Sequence, residues 1–144
     1  MVKRCGKSAP REAQATRPLI LNAWGRREEA LALHKKEEAI CLELGNKDGL
    51  QASYGNQALI LIQQNRLNEA LVLLEKKEPI CCELGLRDHL GYTYWQWAWL
   101  ARAQGDRKTE KEKLEQALAI FTELKMPRER DAVQAELDKL GNGG

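Results

Sequence analysis

A period of forty residues runs through this chain without a gap. Ala30-Leu31-x-Leu33 returns as Ala70-Leu71-x-Leu73, and Glu38-x-Ile40-Cys41-x-Glu43-Leu44-Gly45 returns as Glu78-x-Ile80-Cys81-x-Glu83-Leu84-Gly85. Asp48-x-Leu50, Tyr54 and Ala58 recur as Asp88-x-Leu90, Tyr94 and Ala98. About twenty of the forty-six positions from Leu19 to Gln64 are identical forty residues on. A period in the range of roughly 20 to 50 residues marks a repeat architecture, in which each unit buries its apolar face by stacking on the next. Such chains present surfaces rather than assemble reaction centres, so the period points to a protein that binds.

Length and composition fit one soluble domain. The 144 residues are 43% hydrophobic and 31% charged, the range of a helix-rich globular protein. No apolar run approaches the ~18 to 20 residues that cross a bilayer. The N-terminus is basic but has no apolar stretch before Pro18, which argues against a secretory signal and leaves a cytoplasmic location by default. Charge is unevenly placed: residues 1–17 carry a net +4, so the rest carries −2 of the overall +2. Residues 1–17 read as a disordered basic leader. The acidic remainder argues against a surface that tracks nucleic-acid phosphates.

The cysteines follow the repeat. Cys41 and Cys81 hold one position in successive units, Cys82 is a neighbour and Cys5 lies in the leader. No C-x-x-C pair occurs, and His34 and His89 lack ligand-like spacing. These thiols therefore read as small buried hydrophobes in a reducing compartment, with no metal, cofactor or redox role.

Each unit divides into two helices. Gly25, Asn65 and Gly105 recur at one break, and Gly45-Asn46-Lys47-Asp48 and Gly85-Leu86-Arg87-Asp88 at the other. Glycine and asparagine accept the left-handed conformation that ends a helix, and the aspartate is placed to cap the next. The third copy, Lys125-Met126-Pro127-Arg128, is interrupted by proline. Between the breaks, Ala30, Leu33, Ile40, Cys41 and Leu44 follow helical periodicity, as do Ala70, Leu73, Leu74, Ile80, Cys81 and Leu84. The reading is a partial helix at 18–24, then helices near 27–44, 48–64, 67–84, 88–104, 107–125 and 128–140. Short connections make neighbours antiparallel. The expected fold is all-α, an α-solenoid of stacked helical hairpins with units near 18–45, 46–85 and 86–125, a last helix at 126–140, and a tail at 141–144.

The order Tyr54…Ala58-x-x-Leu61…Asn65-Arg66-Leu67-x-Glu69-Ala70…Leu74 resembles a tetratricopeptide repeat. The forty-residue unit and Asn56-Gln57-Ala58-Leu59-Ile60-Leu61 are similar to the long-helix variant of kinesin light chains and bacterial signalling proteins. The resemblance covers about residues 18–140. It implies the fold and, for function, a protein- or peptide-binding scaffold.

Departures from the period are as informative as the period. The small residue at Ala30 and Ala70 becomes Glu110, and a second small site reads Glu37, Lys77 and Ala117. These changes predict looser packing of the third unit's second helix. Pro79 stands where the previous unit has Ala39, which predicts a bend near Glu75–Pro79. Ile20 and Leu21 match Ile60 and Leu61, but the residues before Pro18 do not match those before Ala58. The first unit lacks the front of its first helix, so an exposed apolar stack end is expected there, inviting self-association or marking a fragment of a longer array. The polar run Asp131–Lys139 suits a cap at the other end, with Gly141 stopping the helix.

The most unusual segment is Tyr92-Thr93-Tyr94-Trp95-Gln96-Trp97-Ala98-Trp99. On a helix, Tyr94, Trp97, Ala98 and Ala101 repeat core positions. Tyr92, Trp95, Trp99 and Arg102 share another face, where the previous unit has Ala52, Gly55, Leu59 and Ile62. In the resembled family these positions face a peptide groove. Trp, Tyr and Arg dominate binding hot spots, so the candidate partner-binding residues are Tyr92, Trp95, Trp99 and Arg102, continued by Leu59 and Ile62. The alternative is that Trp95 and Trp99 pack against an adjoining helix or a second copy. Leu59 and Trp99 replace the polar groove residues with which some family members grip acidic tails, so an apolar or aromatic peptide is the expected partner.

Three other classes compete with a scaffold. An enzyme needs convergent titratable groups, and the acids here alternate with bases along helix faces, as in Lys35-Lys36-Glu37-Glu38. No phosphate loop, nucleophile elbow or metal motif occurs, so no catalytic residue is assigned. RNA-reading helical repeats need a basic groove with polar pairs on successive units, which the changes from Gly55 and Leu59 to Trp95 and Trp99 do not supply. A homo-oligomer through the truncated end is the third.

Overall fold

The computed structural model describes residues 26–142 and is all-α over that span. The basic leader, the partial helix at 18–24, Gly25 and the last two residues lie outside the described residues. Six helices follow: α1 Arg27–Leu44, α2 Lys47–Gln63, α3 Leu67–Leu84, α4 Arg87–Gln104, α5 Arg107–Glu123 and α6 Pro127–Asn142. Every second helix starts forty residues after its equivalent, so the sequence period is carried into the backbone. Consecutive helices pack on one another, and α2 also touches α4 directly.

The turns repeat because five residues adopt the same left-handed conformation. Gly45, Gly85 and Gly105 have φ of 68°, 68° and 75°, while Asn65 and Lys125 follow at 61° and 57°. At each, the residue's own N–H and the following one turn back onto the last helical turn, as when Asn46 N donates to Cys41 O at 2.9 Å and Met126 N to Phe121 O at 2.9 Å. Lys125 shows that the turn does not demand glycine, since the closing hydrogen bonds outweigh a modest steric cost.

The starts differ from expectation in one respect. Asp48 does not cap α2; Asn46 does, its side-chain oxygen accepting from Gly49 N at 3.0 Å. Asp106 caps α5 in the same way, accepting from Thr109 N at 3.1 Å. Asp88 does not cap α4, and α1 and α3 likewise have no side-chain cap. There Arg26 and Arg66 instead clamp Glu29 and Glu69, which sit favourably in the first turn. Pro127 opens α6, where its missing N–H costs nothing. Gly141 lies within α6 rather than ending it.

Two buried clusters form the core. The first joins α1 to α4 through Ala30, Leu31, Ala58, Leu61, Leu74 and Leu100. The second joins α3 to α6 through Cys81, Tyr94, Leu114, Ala117, Phe121 and Val133. Cys81 is buried as expected, whereas Cys41 is half-buried and Cys82 is exposed. α3 passes through Pro79 unbroken. The proline is exposed, so the carbonyl that loses its donor can bond to water. Of the looser packing expected of α5, the middle of the helix shows none, since Leu114, Ala117 and Phe121 are fully buried, but a cavity of about 380 Å³ opens beside Glu110 between α4, α5 and α6. Glu110 fits because Arg102 Nε donates to it at 2.7 Å. The largest exposed hydrophobics on α1 are Ile40, Leu42 and Leu44.

Candidate functional site

The aromatic face of α4 meets α6. Tyr92 donates its hydroxyl to Glu129 at 2.6 Å, and Trp95 and Trp99 donate their indole N–H groups to the two oxygens of Glu136 at 2.8 and 3.3 Å. Arg102 bridges Glu136 and Glu110, at 2.7 Å each. Glu136 therefore collects three donors spaced along α4. The rings also order one another. Trp95 lies 5.4 Å from Trp99 and 5.9 Å from Phe121, and Tyr92 meets Phe121 edge-on at 5.2 Å. These separations suit aromatic pairs whose rings carry a negative face and a positive edge.

The electrostatics follow from this seating. Burial, then the bond to Glu129, pushes the Tyr92 hydroxyl up to about 12. The same hydrogen bond holds Glu129 below its ordinary range. Burial opposes the charge on Arg102, but the bonds to Glu110 and Glu136 outweigh it and raise its pKa.

Four of the six candidate residues thus come together on α4, half-buried or exposed at their outer edges but with their polar groups engaged by α5 and α6. Leu59 and Ile62 sit half-buried on α2. Ile62 packs on the first core cluster while Tyr92 and Trp95 pack on the second, so the two sets do not share a cluster.

A polar layer occupies the equivalent place one unit earlier. Lys77 is 4% exposed and Gln51 1%. Cys81 Sγ approaches Gln51 Oε1 at 3.6 Å and Thr93 Oγ1 at 4.0 Å. Gln96 Nε2 donates to Gly55 O at 3.3 Å while its Oε1 is buried without a partner. Burial depresses the Lys77 amine and raises the Cys81 thiol. Lys77 was marked in the sequence only as a departure from a small residue. Its burial follows from Gly55, where a Cβ would stand 3.0 Å from Lys77 Nζ: the missing side chain leaves the room that the lysine fills.

A third feature is an open groove over α2, between α1 and α3. Its volume is about 290 Å³, its floor is Leu61 and Gln57, and its walls include Glu38, Val72 and Leu73. Val72 is 48% exposed. Gln57 Nε2 donates to Glu38 at 2.9 Å. Sequence periodicity missed this site because each of its residues fits the pattern of an ordinary helix face.

Among the described residues, no group of three or more His, Cys, Asp or Glu side chains is arranged to hold a metal, and no helix is long and apolar enough to cross a membrane. Comparison with protein-family models, with curated proteins and with solved structures gives no match.

Proposed function

We propose that this chain is a tetratricopeptide-like α-solenoid acting as a non-catalytic scaffold for protein or peptide partners in the cytoplasm. The forty-residue register of six helices and the shared turn geometry support the fold half of this reading. The binding half rests on one observation: an open groove remains between α1 and α3, with Val72 and Leu73 on one wall and Lys35 and Glu38 on the other, while the aromatic face of α4 has its donors satisfied within the chain. A surface already hydrogen-bonded internally gains less from a partner than one whose apolar side chains still face water.

Panning the folded chain against a random-peptide display library tests this reading. Enriched peptides that bind the wild-type chain and a Trp95→Ala, Trp99→Ala variant alike would place recognition away from α4. Loss of binding in a variant that still folds would restore the aromatic face as the site, and no enrichment at all would sink the scaffold reading.

Self-association is the second reading, favoured by the exposure of Ile40, Leu42 and Leu44 on α1. The equivalent Ile120 is buried beside Gly91, so the position is built for a covering helix. Light scattering during size-exclusion chromatography checks it: a monomer at tens of micromolar rules it out.

A further inference from the structure

We infer that the groove over α2 takes an aromatic side chain accompanied by a cationic one from a partner peptide; this deepens the scaffold reading and rests on it. The observation is internal to the molecule. One unit on, the equivalent groove lies over α4, between α3 and α5, and it holds both groups already. Trp97 occupies the position of Gln57, and the Lys113 ammonium, at the position of Leu73, sits 4.1 Å from the Trp97 ring centroid and 5.1 Å from that of Tyr94. Tyr94 in turn donates to Glu78 at 2.7 Å, so a carboxylate stands at the hydroxyl end of the ring over which the cation sits.

The first groove keeps the carboxylate and lacks the tryptophan, while its own cations are engaged elsewhere, Lys76 at 5.8 Å from the Tyr54 ring centroid and Lys35 on the rim beside Glu69. Glu38 is the equivalent of Glu78, and its partner is the neutral amide of Gln57. Glu69 is clamped by Arg66 at 2.8 Å, and Lys35 adds a second cation beside it, which leaves Glu38 as the acid open to an incoming charge. The rim has changed in the same sense. Val72 and Leu73 stand where the next unit has Glu112 and Lys113, so this part of the α3 wall is apolar where the filled groove is charged. A ring laid against Leu61, Val72 and Leu73 removes apolar surface from water, and a lysine or arginine beside it faces both the ring and Glu38. An acidic companion would instead meet Glu38 with like charge.

The test titrates the isotope-labelled full chain with a synthetic peptide holding a central Trp-Lys pair in a Gly/Ser frame, read by amide chemical shifts. Expected are shifts at Lys35, Glu38, Leu61 and Val72. Replacing the peptide's Trp by Ala, or its Lys by Glu, is expected to weaken binding by about tenfold. Gln57→Trp rebuilds the neighbouring unit's own occupant and abolishes the shifts in a chain whose spectrum remains folded. Should that variant unfold, Glu38→Lys serves instead, turning the preference toward a Trp-Glu peptide. Equal affinity for the Ala peptide, shifts centred on Tyr92–Arg102, or no shifts at all overturn the inference. Display peptides that bind the groove without an aromatic-basic pair overturn it while leaving the scaffold reading intact.

Discussion

The layer between α2, α3 and α4 and the layer between α4, α5 and α6 share one backbone plan and almost nothing in their fillings. In the first, Gln51 faces Cys81 and Gly55 faces Lys77; in the second, Gly91 faces Phe121 and Trp95 shares a cluster with Ala117. Large and small have changed sides across the helix pair at both positions. Thr93 likewise becomes Val133, and Gln96 becomes Glu136. The lesson is that repeated residues hold the helices in register, while the unrepeated ones are chosen in facing pairs that conserve volume. A tryptophan that looks like an addition on one helix is the complement of an alanine on the next.

The largest expected contrast comes from truncating equivalent residues. Phe121→Ala should cost about 3 to 5 kcal/mol, and Cys81→Ala only about 1 kcal/mol, in urea denaturation. Near-equal costs would mean that the aromatic layer is not the better-packed one. Next is the acid that organises α4: Glu136→Ala leaves two indole donors and one arm of the Arg102 guanidinium without their acceptor and should cost about 2 to 3 kcal/mol. Gln96→Ala, its equivalent, should cost under about 1 kcal/mol.

The glycines sharpen the comparison because their signs differ. A Cβ at Gly91 would lie 2.8 Å from the Phe121 ring, held rigid in the core, whereas one at Gly55 meets the movable end of Lys77. Gly91→Ala should therefore destabilise by about 1 to 3 kcal/mol despite its better helix propensity. Gly55→Ala should be neutral or stabilising by up to about 1 kcal/mol. Thermal melts of the two variants decide.

The smallest effect concerns Lys77. Its pKa is depressed in the folded chain, so the unfolded chain binds more protons between the two pKa values. Stability then rises as pH climbs from the depressed value toward the ordinary lysine range. Lys77→Met should remove that rise and stabilise the protein near neutral pH by on the order of 1 kcal/mol. A pH-stability profile unchanged by the substitution would contradict the burial of the amine.

Much of this was legible in the sequence. The forty-residue period set the helices, and Gly45, Asn65, Gly85 and Gly105 marked their ends because left-handed turns select those residues. The cap at Asn46 was missed because either it or Asp48 satisfies the local rule, and only the geometry of the turn chooses. The aromatic face was found, but its neighbours were not. Reading Trp95 with Ala117, and Phe121 with Gly91, would have pointed to packing, and that pairing is visible only when two helices are aligned by the period. The groove over α2 left no local signal, since it is defined by what Gln57 and Leu73 do not fill.

Compensation between facing residues is the central claim, and a double-mutant cycle at Gly91 and Phe121 tests it most directly. Gly91→Gln and Phe121→Cys transplant the Gln51–Cys81 pair into the aromatic layer. Each alone should destabilise, the first by overlap and the second by a cavity. Together they should recover at least about 1 kcal/mol relative to the sum of the singles. Strict additivity would contradict the account.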